Sequence, residues 1–173
     1  MVTNPVDAMT YFVQEYTNLS QSRIIGSGTF LDTQRLRTLL ESKIGIAEQS
    51  IHAYILGEHG DSQFPAWSCA YVAGIPLIDF KQLNQKALQN IAQKTREKAY
   101  EVIACKGATF YGIGSCVAAI CRTILYDQKR VTPLSCYIKQ FDVCLSMPVV
   151  LGKNGVEKIL SIPLNKKEQE LLK

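Results

Sequence analysis

Apolar positions along the chain follow two rhythms, helical first and then alternating. Val6, Met9, Val13, Tyr16 and Leu19 recur at helical spacing after Asn4, a good N-cap type, and Pro5, suited to the first helical position. The pattern predicts a helix to about Asn18. "RIIGSGTF" is a short apolar run broken by Gly26 and Gly28. A second helix is predicted from about Leu31 to Lys43, with Leu36, Leu39, Leu40 and Ile44 buried and Gly45 as terminator. Ile51 to Leu56 alternates like a strand and runs into a turn over Gly57–Gly60, and "AWSCAYVAGIPL" reads as another strand that bends at Gly74 and Pro76. A long, polar-faced helix is expected from about Phe80 to Cys105, closed by Gly107. Another follows from about Phe110 to Tyr126, with Ile113, Val117, Ile120, Ile124 and Leu125 inward.

The rhythm then changes. "VTPLSCYIK", "DVCLSMPVVL" and "GVEKILSIPL" are three strand-like runs separated by turn signals, among them Lys153-Asn154-Gly155, and predict an antiparallel meander. A short helix capped by Asn165 ends the chain. No repeat or low-complexity linker interrupts the sequence. The expectation is one α+β domain over residues 1–173, with long helices packed on antiparallel sheet and a C-terminal β-meander.

Composition narrows the class of partner. A hydrophobic fraction of 47% with 20% charged residues reads as soluble and globular. The net charge of +4 is mild, and its lysines and arginines are scattered, so nucleic acid is not expected as a partner. No apolar run reaches the roughly 18 residues of a membrane span, and no signal peptide opens the chain, so no membrane partner is expected. The six cysteines form no C-x-x-C pair, which points to a reducing cytoplasm and to no metal site. "MVTNPVD" has little lead-in before a helix, as in a piece of something longer.

Three residues could carry chemistry. Asp32 and Arg35, three apart at the start of a helix, share a face, and the helix dipole favours a carboxylate in the first turn. His59 sits in "ILGEHGDS". A carboxylate that accepts one imidazole N–H fixes the tautomer and leaves the other nitrogen for proton exchange. Arg35 offers a planar fork for a substrate carboxylate. Together they would suit a small hydroxy or keto acid. By spacing alone the alternatives stay open, because an Asp–Arg pair is more often a surface helix pair and a histidine beside glycine an ordinary turn residue.

"NPVD", "IGSGTFLDTQRLR", "ILGEHGDS" and "KGATFYGIG", in that order, resemble the substrate-binding half of L-lactate dehydrogenases over essentially the whole chain. "IHAYILGEHGDS" is similar especially to the bacterial branch activated by fructose 1,6-bisphosphate. The resemblance implies an NAD-dependent interconversion of pyruvate and L-lactate by a homo-oligomer, a tetramer in the family. It implies His59 as proton donor and acceptor, Asp32 as the carboxylate that orients it, and Arg35 as the clamp on the substrate carboxylate. It also implies Asn4 near the reacting oxygen and nicotinamide, Thr109 in the substrate pocket and Ser27 near the nicotinamide ring. Arg37 and His52 match the residues that bind the sugar bisphosphate at a subunit interface. Arg37 lies about 200° around the helix from Arg35 and should face elsewhere. Without the resemblance, Arg37 reads as a solvated helix charge and His52 as a polar strand residue.

Some family features are not found in these residues. No G-x-G-x-x-G follows a strand, so the dinucleotide-binding Rossmann domain is expected to be absent from this chain, along with the mobile loop that separates lactate from malate. Gln34 stands where the family usually has a small residue, which could disturb the helix that places Arg35, and "NKKEQELLK" ends sooner than the family's last helix. Little or no turnover is expected of the chain alone. Two other readings are a malate dehydrogenase relative and a non-catalytic module that self-associates through an exposed apolar face beside Asn4 and the "GSG" loop.

Overall fold

The computed structural model describes residues 1–172. Five α-helices are present: α1 (Val6–Tyr16), α2 (Phe30–Ile44), α3 (Gln85–Lys106), α4 (Tyr111–Leu125) and α5 (Lys166–Leu171). The strands are β1 (Ile51–His52), β2 (Ile55–Leu56), β3 (Phe64–Pro65), β4 (Tyr71–Val72), β5 (Ile75–Pro76), β6 (Arg130–Ile138), β7 (Val143–Gly152) and β8 (Gly155–Ile159). The last three form the expected antiparallel meander in the order β6-β7-β8. The architecture is the α+β arrangement anticipated from the sequence.

Terminating chemistry sets several boundaries. Gly45 and Gly107 close α2 and α3 in the left-handed conformation, which a residue without Cβ adopts readily. α3 begins at Gln85 rather than near Phe80, because the Asn84 side chain accepts the Ala87 N–H and fixes the first turn there. α1 begins at Val6 with Pro5 at its cap position and no side-chain cap, so Asn4 does not serve as the N-cap, and the helix ends at Tyr16. α5 has a full capping box between Asn165 and Glu168.

Two further expectations are corrected. The Ile51–Leu56 run is two short strands in different sheets, with β1 pairing β4 and β2 pairing β3. Between them the Ala53 carbonyl accepts from Arg37 and the Tyr54 carbonyl from Ala66, so one continuous ladder cannot form. "AWSCAYVAGIPL" likewise contains a 3₁₀ turn at Trp67–Cys69 and the β4–β5 hairpin. Leu125 is exposed rather than inward. It lies about 120° around α4 from the face that packs through Ile113, Ile120 and Ile124.

The core has two main parts, with α2 contributing to both. Leu36 and Leu40 pack with Ile51, Ile55, Leu77, Leu83 and Ile91, joining α2 to α3 and the short strands. Phe30 packs with Cys116, Leu134, Val149 and Leu151, joining α2 to α4 and the meander. The "GSG" loop is buried: Gly26 bridges to Ser135 on β6, and Gly57 bridges to Ser146 on β7. The loop itself is thus covered, whereas Phe12, Tyr16 and Leu19 at and beyond α1 are exposed.

Candidate active site

The loop-to-helix passage at Gly28 and Thr29 fixes the start of α2. The Thr29 hydroxyl donates to the Ile55 carbonyl at 2.6 Å, the Thr29 N–H donates to Ser146 Oγ at 3.0 Å, and the Ile55 N–H donates to Thr33 Oγ1 at 2.9 Å. These bonds tie the first turn of α2 to β2 and β7. β2 leads directly into the turn that holds His59, so two segments far apart in sequence share one scaffold.

Asp32, 2% exposed, lies at their junction. His59 Nδ1 is 2.8 Å from Asp32 Oδ2, and Arg35 Nη1 donates to Asp32 Oδ1 at 3.1 Å. With Asp32 accepting from Nδ1–H, His59 Nε2 is left without a protein partner among the described residues. The Asp32 hydrogen bond raises the His59 pKa; burial opposes the shift, the charges of Asp32 and Asp7 add to it, and Arg35 opposes it. The imidazole side chain is 26% exposed and Arg35 14%, so both reach solvent while their carboxylate partner does not.

Two other residues belong to this neighbourhood and were not singled out as candidates from the sequence. The His59 backbone N–H donates to Asp7 Oδ2 at 2.7 Å, which brings α1 to the site across 52 positions. Cys116 on α4 is buried close enough to feel both Arg35 and Asp32, and burial pushes its thiol up to about 11. Gln34 is half-buried, and α2 continues unbroken past it with the Asp32–Arg35 contact intact.

The remaining candidates make no hydrogen bond to Asp32, Arg35 or His59 among the described residues. Ser27 is buried, with its N–H donating to the Met1 carbonyl at 2.9 Å, while Asn4 is exposed ahead of α1. Thr109 is half-buried between α3 and α4. Arg37 leaves the opposite side of α2 from Arg35: its Nε donates to the Ala53 carbonyl at 3.1 Å, and its guanidinium lies 5.2 Å from the centre of the Tyr54 ring. His52 is exposed and stacks on Tyr71 at 4.8 Å between ring centres. Among the described residues, no cluster of three or more His, Cys, Asp or Glu could hold a metal, and no helix is long and apolar enough to cross a membrane.

The sequence profile of the lactate/malate dehydrogenase alpha/beta C-terminal domain matches residues 29–173. The chain is 44% identical over 172 residues to L-lactate dehydrogenase A of Rhizopus oryzae, covering 99% of this chain and 54% of that protein. It is 43% identical over 177 residues to L-lactate dehydrogenase of Fervidobacterium nodosum, covering 98% of this chain and 56% of that protein. The crystal structure of MGS-M5, a lactate dehydrogenase from a deep-sea metagenome library, superposes with a TM-score of 0.94 at 40% identity, covering 99% of this chain and 57% of that one. The chain thus spans little more than half the length of these relatives. With its buried Asp32 between His59 and Arg35 on this fold, the chain belongs to the lactate/malate dehydrogenase family through that C-terminal domain.

Proposed function

We propose that this chain is the substrate-binding domain of an NAD-dependent L-lactate dehydrogenase, the dinucleotide-binding domain being no part of these 173 residues. The observation that carries the reading is the 2.8 Å Asp32–His59 contact with Arg35 on the other carboxylate oxygen. Asp32 holds the ring so that Nε2 faces outward, and its charge favours the imidazolium. In the direction of pyruvate reduction, Nε2–H gives its proton to the keto oxygen as that oxygen becomes a hydroxyl; in the reverse direction neutral Nε2 accepts it. Arg35 grips the substrate carboxylate and sets the distance between that oxygen and His59.

The residues present fit only the reacting end of the cofactor. His59 and Arg35 open together to solvent, but no glycine-rich phosphate turn accompanies them. When bound, the nicotinamide cofactor would supply the hydride as NADH in pyruvate reduction and take it up as NAD in the reverse direction. Asn4 and Ser27 would face its nicotinamide, and Thr109 would line the substrate pocket beside Arg35. A malate-type reaction would use the same triad. Lactate is favoured because the relatives above carry that name. The cysteines are free, and the proposed location is a reducing cytoplasm.

Fructose 1,6-bisphosphate is the proposed effector, held by Arg37 and His52 in a homo-oligomer, a tetramer as in the family. Arg130 stands near Arg37 and adds a further cation to that side of α2. The relatives include a fungal as well as a bacterial enzyme, so the bacterial, activated branch is part of the proposal.

The test joins this chain to the nicotinamide-binding half of the Fervidobacterium nodosum enzyme. NADH oxidation with pyruvate is expected from the joined protein and little or none from the chain alone. His59→Gln should lower kcat by about 10²–10⁴-fold. A folded joined protein whose turnover survives that change would sink the assignment. The exposed Phe12, Tyr16 and Leu19 favour self-association of the chain alone, read by light scattering.

A further inference from the structure

Helix α1 brings another acidic side chain to the histidine turn. Asp7 Oδ2 accepts the His59 backbone N–H at 2.7 Å. Its other oxygen, Oδ1, is buried and has no hydrogen-bond partner among the described residues, and neither does Ser135 Oγ on β6. Ser135 stands close enough to lower the Asp7 pKa, but the pair lacks hydrogen-bond geometry. A half-satisfied carboxylate with one oxygen shut off from water is costly, and an apolar side chain there would avoid that cost. Its one made contact is with the backbone of the residue whose ring meets Asp32.

We propose that Asp7 is a positioning residue for His59, fixing the turn through the backbone N–H and placing a negative charge behind the ring. This rests on His59 being the acid/base. From α2 the ring faces Asp32 and Arg35, from α1 it faces Asp7, and Glu58 in the turn acts on Asp7. Asp32 holds the imidazole from the side and Asp7 holds its backbone, so rotation of the turn away from Asp32 would break both bonds. Burial raises the Asp7 pKa, and this outweighs the lowering by Ser135 and by the His59 N–H.

The test follows His59 in the 173-residue chain by NMR, with a His52→Gln background leaving one imidazole signal. Asp7→Asn keeps an oxygen acceptor for the N–H and removes the charge. It is expected to lower the His59 pKa, with Asp7→Glu restoring part of the shift. A folded Asp7→Asn chain with an unchanged His59 titration would overturn the proposal. In the unsubstituted chain, the His59 amide signal should move through the acidic range in which Asp7 titrates, its pKa raised from the ordinary aspartate value by burial. An amide signal flat through that range would equally overturn it, even if the variants do not fold. A joined enzyme without turnover would sink the acid/base reading and leave these titrations standing. An active one with no Asp7 effect would sink only this role.

Discussion

His59 Nδ1 meets Asp32 Oδ2 at 2.8 Å, a half-exposed imidazole against a carboxylate almost wholly removed from water. This raises the pKa of His59 in the folded chain. A raised histidine pKa adds stability that is fully present below its unfolded value of about 6.5 and is lost as pH rises through the folded value. Asp32→Asn should remove that contribution. In urea unfolding, the stability gap between the two proteins is expected to narrow as pH rises from below about 6.5 through the raised folded value. A gap constant across that window would show that the contact carries no charge-dependent energy.

Arg35 tests the proposed substrate clamp separately from the proposed base. Lysine keeps the charge but offers a point donor in place of a planar fork, so it cannot grip both oxygens of a carboxylate. In the joined enzyme, Arg35→Lys is expected to raise KM for pyruvate by about tenfold or more, as loss of a charged hydrogen bond would. An unchanged KM would remove Arg35 from substrate binding.

The effector proposal rests on a different face of α2. Arg37→Ala and His52→Ala should each weaken activation by fructose 1,6-bisphosphate, raising the half-effect concentration by about tenfold or more. Arg37 also bonds the Ala53 carbonyl and covers Tyr54, so its removal is checked by a melt alongside the activation curve. Full activation by both variants at an unchanged half-effect concentration would refute the site.

Much of the fold was legible because its boundaries are written in local chemistry. Gly45, Gly107 and Asn165 each end or start a helix where the sequence reading put them. The start of α3 was misread because apolar residues before Asn84 continue the helical spacing, while the Asn84 cap overrides it. The Asp32–His59 pairing was not legible from spacing. Asp32 and His59 meet only because Thr29 and Thr33 bond Ile55 across the packed core, and the family resemblance supplied that link. Asp7 was missed for a related reason. An acidic residue in a first helical turn already has a dipole explanation, and nothing local announces the backbone it reaches 52 positions away.

Gly28 and Gly114 should respond oppositely to alanine. Gly28 has φ +48°, and a Cβ there would lie 2.6 Å from the Ser135 N and in collision with Ser146 Oγ, the atom that holds the Thr29 N–H. Gly28→Ala therefore combines left-handed strain with displacement of the bond that seats α2, and a loss of at least about 2 kcal/mol is expected. Gly114 lies inside α4 with no atom near a built Cβ and no unusual φ. Its replacement by alanine lowers the entropy of the unfolded chain and favours the helix, so about 0.5–1 kcal/mol of added stability is expected. Urea unfolding of both variants reads the contrast. A neutral Gly28→Ala would mean that the loop before α2 can shift without cost, and that the placement of Asp32 does not depend on its close approach to β6 and β7.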